Sequence, residues 1–175
     1  MALNLKQIRA FALDIDGVMT DGGLLCDLNG ELYRCFDAKD GFAVRMARMK
    51  NYPVAVITGG RSLTIRARYR TCGLPQEDIY LGSRDKIVDF NDFCRRYQLD
   101  PSEVMYFGDD IPDIETIQAA GVGACPCDAV PEAIAAADWV SSRPGGKGCV
   151  REGIETVLKL RGDWEFDVGV YKKLY

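Results

Sequence analysis

Short apolar runs recur along the chain at residues 11–15, 54–57, 79–81, 104–107, 122–125 and 139–140. Each is followed by a polar or glycine-rich turn, and then by a stretch whose apolar positions repeat with helical spacing. Those stretches cover residues 41–50, 62–72, 84–97, 111–120, 131–137 and 150–160. Strands alternating with helices predict an α/β fold: a doubly wound, Rossmann-like parallel sheet flanked by helices. The strands are continuously apolar rather than alternating, as a sheet buried on both faces requires. No internal repeat, linker or low-complexity stretch interrupts the pattern, so residues 1–162 are expected to form one domain with one core.

Two segments depart from the alternation. Residues 22–36 hold two short extended runs around Asn29-Gly30, and Asn-Gly is a strong hairpin signal because both positions tolerate positive φ. The hairpin is either a plain edge ribbon or a flap. Its position directly after the first strand favours a flap over the carboxyl ends of the sheet, where ligands bind in such folds. The tail, residues 163–175, carries Trp164, Phe166, Tyr171 and Tyr175 without clear periodicity. It is either disordered or docked on a neighbouring subunit, and its aromatic residues favour docking.

Composition narrows the possible chemistry. The net charge of −4 argues against nucleic acid, which needs clustered Lys and Arg to neutralise phosphates. No apolar run is long enough to span a membrane, and the first residues show no signal-peptide pattern. The seven cysteines include no CxxC pair, which points to reduced thiols and a cytoplasmic location. Cys125 and Cys127 alternate along an apolar stretch and are expected to be buried together on one face. The chain has no histidine, which removes Ser-His and Cys-His nucleophilic sites and histidine-ligated metals.

Polar residues stand at four successive strand ends. The first run leads into Asp14-Ile15-Asp16, and residues two apart on a strand share a face. The second ends in Thr58-Gly59-Gly60-Arg61, the third precedes Lys86, and the fourth ends in Gly108-Asp109-Asp110 with Asp113 close behind. In a doubly wound sheet these ends lie along one edge, so carboxylates, a hydroxyl, open backbone N–H groups and an ammonium would converge. Oxygen ligands of this kind suit Mg²⁺ together with a substrate phosphate. Thr58, Gly59 and Lys86 would hold the phosphate oxygens. Singly, each motif has an ordinary explanation: a surface turn, a strand-to-helix turn, a solvated lysine, or helix caps at Asp109 and Asp110.

In this order the four motifs resemble the haloacid dehalogenase superfamily of phosphotransferases, over roughly residues 8–160. The resemblance implies that Asp14 is the nucleophile forming an aspartyl-phosphate. Asp16 would be the acid that protonates the leaving oxygen and then the base that activates water. It also implies a Mg²⁺ site made by Asp14, Asp109 and the backbone carbonyl of Asp16, with Asp110 and Asp113 behind it and Asp113 orienting Lys86. Only the hairpin separates Asp16 from the next helix, which matches the superfamily's subclass without a large cap domain. Within it, residues 14–22, Lys39-Asp40-Gly41, Thr58-Gly59-Gly60-Arg61 and Gly145-Gly146-Lys147-Gly148 look like phosphatases of 3-deoxy-D-manno-octulosonate 8-phosphate, a step toward lipopolysaccharide precursors. That family implies a homotetramer with shared active sites. Arg68, together with Arg61, would bind the sugar-acid carboxylate, and Gly60 would sit at the substrate, while Arg66 and Arg70 face solvent.

Other readings compete. Phosphatases of nine-carbon keto-acid phosphates are similar, but carry an acid at the Gly60 position and a lysine at that of Thr71. A non-catalytic tetramerising module, a phosphorelay receiver domain and a broad housekeeping phosphatase are further alternatives. The intact acids argue against the first, and the order of the motifs against the second.

Overall fold

The structure, a computed structural model, describes residues 3–165, 167 and 169. Strand β1 (Ala10–Leu13) lies at the centre and is buried throughout. Phe11 and Leu13 join one buried cluster and Ala10 and Ala12 the other, which is the period-two alternation of a strand covered on both faces. The chain then forms a two-stranded antiparallel ribbon, β2 (Leu25–Cys26) and β3 (Leu32–Tyr33), before helix α1 (Ala38–Met49). After it come β4 (Val54–Thr58), α2 (Leu63–Arg70), β5 (Ile79–Leu81), α3 (Lys86–Tyr97), β6 (Val104–Phe107) and α4 (Ile114–Ala119). The last elements are β7 (Val122–Cys125), α5 (Pro131–Ala136), β8 (Trp139–Val140) and α6 (Cys149–Arg161).

The six-stranded sheet runs β5-β4-β1-β6-β7-β8, with every pair parallel. Residues of α1, α2 and α6 complete the cluster around Phe11 and Leu13, and those of α3, α4 and α5 the one around Ala10 and Ala12. From β1 the chain winds toward β4, and from β6 it winds the opposite way toward β7. The loops leaving these adjacent strands therefore part, and a crevice opens between Leu13 and Phe107 at their carboxyl ends.

Three local expectations change. Strand β1 stops at Leu13, so Asp14 and Asp16 are not alternate residues of a strand; the chain turns through Gly17 at φ +84°, and the Ile15 carbonyl accepts from the N–H groups of Val18, Met19 and Thr20. The hairpin turn is not the two-residue Asn-Gly type. Gly30 N–H donates to the Asp27 carbonyl, only Gly30 of the pair has positive φ, and the Asp27 carboxylate accepts from Asn29 and Glu31 N–H. This is a three-residue loop with its glycine in the left-handed position. Finally, Cys125 is buried but Cys127 is exposed, because β7 ends at Cys125 and Pro126 begins a turn.

At the C-terminal end, Gly162 closes α6 at φ +76°. Trp164 packs edge-on against Phe42 of the same chain and beneath the Arg151 guanidinium. Phe166, Tyr171 and Tyr175 lie outside the described residues.

Candidate active site

A cavity of about 480 Å³ occupies the crevice. It is lined by Asp14, Asp16, Thr58, Gly59, Gly60, Arg61, Lys86, Asp109, Asp110 and Asp113, so the structure brings together every residue singled out in the sequence except Arg68. Asp14 directly follows β1, and its N–H continues the strand ladder by donating to the Phe107 carbonyl at 2.9 Å. Its side chain is buried, with Oδ2 2.9 Å from the Lys86 ammonium and Oδ1 lacking any hydrogen-bond donor. Gly17 is required here for space as well as for φ, because a Cβ would run into the Asp109 carboxylate.

Lys86 opens α3, and its ammonium also donates to Asp113 Oδ1 at 2.6 Å. Tyr106, on β6, donates its hydroxyl to the same oxygen at 2.5 Å. Asp113 Oδ2 receives the N–H groups of Asp109 and Asp110 at 3.3 Å each. Asp113 is thus saturated with donors and acts as the anchor that aims Lys86. Asp110 accepts from Ile111 N–H at 2.7 Å, capping the short turn at residues 111–113. Asp109 differs from both: its Oδ1 is buried and has no donor.

The electrostatics follow from this arrangement. Carboxylate oxygens of Asp14, Asp109 and Asp113 lie within 4.8 Å of one another, facing a single ammonium. Burial, followed by repulsion from Asp113 against the opposing pull of Lys86, pushes the Asp14 carboxyl up to about 7. Burial and the neighbouring Asp14 push Asp109 up to about 7 as well. Burial alone would lower the Lys86 ammonium, but Asp14 and Asp113 outweigh it and hold it above its ordinary value. Two carboxylate oxygens without donors, both forced toward protonation, form a donor set that suits a hard divalent cation. The residues present therefore fit Mg²⁺.

The side of the cavity away from the acids is built by the loops after β4 and β5. Ser83 N–H donates to the Thr58 carbonyl at 2.9 Å, and Gly82 N–H to that of Gly60 at 2.9 Å. The Thr58 hydroxyl accepts from Gly60 N–H at 3.1 Å. Ser83 has a buried hydroxyl without a partner and lines the cavity, as does Arg84; neither stood out in the sequence because both sit in an ordinary-looking turn. Arg61 is exposed and rests over Gly82.

Arg68 lies elsewhere, with its guanidinium against Gly41 of α1 and Nη1 donating to Cys72 Sγ at 3.4 Å. Arg70 is exposed, whereas Arg66 is half-buried with its Nε shielded from solvent. Arg34, which no motif singles out, reaches in from the hairpin: its Nε and Nη2 donate to the two Asp16 oxygens at 2.6 and 2.8 Å. The signal available was only a lone cation within a ribbon expected to stand over the site.

The class of protein that uses such a crevice is set by comparison with known sequences. The haloacid dehalogenase-like hydrolase profile matches residues 37–121, and the chain belongs to that family. Over 157 residues, 90% of this chain and 82% of the relative, it is 34% identical to 3-deoxy-D-manno-octulosonate 8-phosphate phosphatase KdsC of Salmonella typhi. The crystal structure of the Yersinia pestis phosphatase of that name is similar at TM-score 0.87 and 31% identity, covering 91% of this chain and 85% of the other. A Moraxella catarrhalis phosphatase of that name, solved in complex with a magnesium ion, a phosphate ion and a KDO molecule, gives TM-score 0.84 at 29% identity. That match covers 89% of this chain and 88% of the other.

Proposed function

We propose that the protein is a Mg²⁺-dependent phosphomonoesterase that hydrolyses 3-deoxy-D-manno-octulosonate 8-phosphate to the free keto-acid sugar and phosphate, for lipopolysaccharide precursor synthesis in the cytoplasm. The observation that carries the chemistry is the pair of buried, donor-free oxygens on Asp14 and Asp109 beside Lys86. The substrate assignment rests on the relatives' names and on the Moraxella catarrhalis complex. The unpaired state of all seven cysteines supports a reducing compartment. No helix among the described residues is long and apolar enough to cross a membrane.

Asp14 and Asp109, with the Asp16 carbonyl, would hold Mg²⁺, which when bound supplies positive charge to both carboxylates and to the phosphate. Asp14 attacks phosphorus, forming an acyl phosphate as the bond to the sugar oxygen breaks. Asp16 gives that oxygen its proton, then takes one from the water that hydrolyses the intermediate. Thr58, the Gly59 N–H and Lys86 bind the phosphoryl oxygens through both steps, while Asp113 and Tyr106 keep Lys86 aimed. Asp110 holds the turn that carries Asp113. Gly60 and Arg61 line the side on which the sugar would lie.

The assembly belongs to the same proposal. A two-stranded ribbon is marginal alone, and this one exposes Leu24, Leu25 and Leu28. Packing of ribbons in a homotetramer would cover them, and Arg68 would serve a neighbour's site rather than its own. The test is steady-state hydrolysis of eight- and nine-carbon keto-acid phosphates with and without EDTA. The eight-carbon ester should have the higher kcat/KM, and EDTA should abolish turnover. Asp14→Asn should remove activity by at least about 10³-fold while the protein remains folded, and substantial residual turnover would reject the nucleophile.

A further inference from the structure

Arg34 directly follows a ribbon that exposes Leu24, Leu25, Leu28 and Tyr33, yet its own side chain is only 2% exposed. Each nitrogen of the guanidinium is engaged: Nε and Nη2 grip the two Asp16 oxygens, and Nη1 donates to the Leu32 carbonyl at 3.1 Å. Such a fork fixes the plane and rotation of a carboxyl group, which a single hydrogen bond does not. Asp16 needs that help, because it lies beyond the end of β1, where no strand pairing holds it. No other donor reaches its carboxylate among the described residues. The surroundings keep Arg34 in place. A Cβ on Gly60 would lie 3.0 Å from Nη2, so the glycine leaves the guanidinium its room. A second tie, from the Ser62 hydroxyl to Glu31, docks the same ribbon on the N-terminus of α2.

We propose that Arg34 is a positioning residue for proton transfer: the docked ribbon brings in the guanidinium that orients the Asp16 carboxyl toward the leaving oxygen. The fork holds both Asp16 oxygens in one plane and leaves the outer edge of the carboxyl open toward the cavity. The proton passes to the sugar oxygen as its bond to phosphorus breaks and the bond from Asp14 to phosphorus forms. Docking of the ribbon and competence of the acid are then one event. This inference rests on the phosphatase function proposed above.

The test compares two esters on the Mg²⁺-loaded full chain. p-Nitrophenolate leaves without a proton, whereas the alkoxide of the eight-carbon keto-acid phosphate cannot. Arg34→Ala should lower kcat/KM for the sugar ester by about 10²-fold or more, and for p-nitrophenyl phosphate by less than about 3-fold. Arg34→Lys, which keeps the charge but loses the fork, should recover part of the difference. Hydrogen exchange across residues 22–36 should quicken in Arg34→Ala while the sheet keeps its protection. Equal losses on both esters, a rise in KM at unchanged kcat, or a ribbon as protected as the wild type would each overturn the inference and leave the phosphatase function standing. A wild-type protein that hydrolyses neither ester would overturn both.

Discussion

At Asp14 and Asp109, burial and mutual repulsion act in the same direction, so the protein without a cation holds two carboxyls at about 7 that titrate at 3.8 when unperturbed. Between those values these two groups bind more protons in the folded chain than in the unfolded one, so their contribution to stability falls as pH rises from about 4 to about 7. Melting curves in EDTA should show that decline, and Asp109→Asn should flatten it. Saturating Mg²⁺ at neutral pH should raise the melting temperature by roughly 5–10 °C, the shift expected at a hundred times the dissociation constant for a chain of this length. A melting point indifferent to Mg²⁺ would reject the cation site. The participating acids were legible in the sequence because each stands at a strand end. Arg34 was not, because the direction in which a short ribbon leans is decided by tertiary contacts that leave no local pattern.

Among the elements, α6 shows most clearly how a distant residue sets a helix. Its N-cap is Gly148 at φ +101°, which has no side chain to satisfy the first N–H groups. Asp40 of α1, fully buried, takes over: its oxygens accept from Gly148 N–H at 3.0 Å and Arg151 N–H at 2.7 Å. Asp40→Ala should cost about 3 kcal/mol by leaving both donors buried and unpaired, lowering the melting temperature by roughly 10 °C. Asp40→Asn, with one acceptor left, should cost about half as much by the same reasoning. The alternation of apolar runs and helical stretches was enough to read the six strands and their helices. The boundaries moved where caps decide them. Helix α1 begins at Ala38 because the Asp37 carboxylate accepts from Lys39 and Asp40 N–H, ahead of the first apolar position at Phe42. The ribbon shrank to two residues per strand because Asp27 spends its side chain on the turn.

For the whole molecule, the exposed leucines of the ribbon bear most directly on how it works. Leu25 is 72% exposed, and Leu28 at the tip is fully so. If the ribbons pack in the proposed tetramer, Leu25→Asp should give smaller species in light scattering. It should also raise KM for the keto-acid phosphate, as Arg68→Ala should, while leaving p-nitrophenyl phosphate nearly unaffected. A wild-type monomer with full activity would reject shared sites. The loop after β1 is held by a loop far downstream, just ahead of α6. Gly146 N–H donates to the Val18 carbonyl at 2.9 Å, and Gly145 packs so closely on the Gly17 carbonyl that a side chain there would collide. The loop bearing Asp16 is thus braced by residues made about 130 positions later. A ribosome-bound chain that has not yet emerged past Lys147 already carries all the site's acids but lacks the brace that sets their loop. Competence for catalysis therefore waits on a loop made long after the acids it braces.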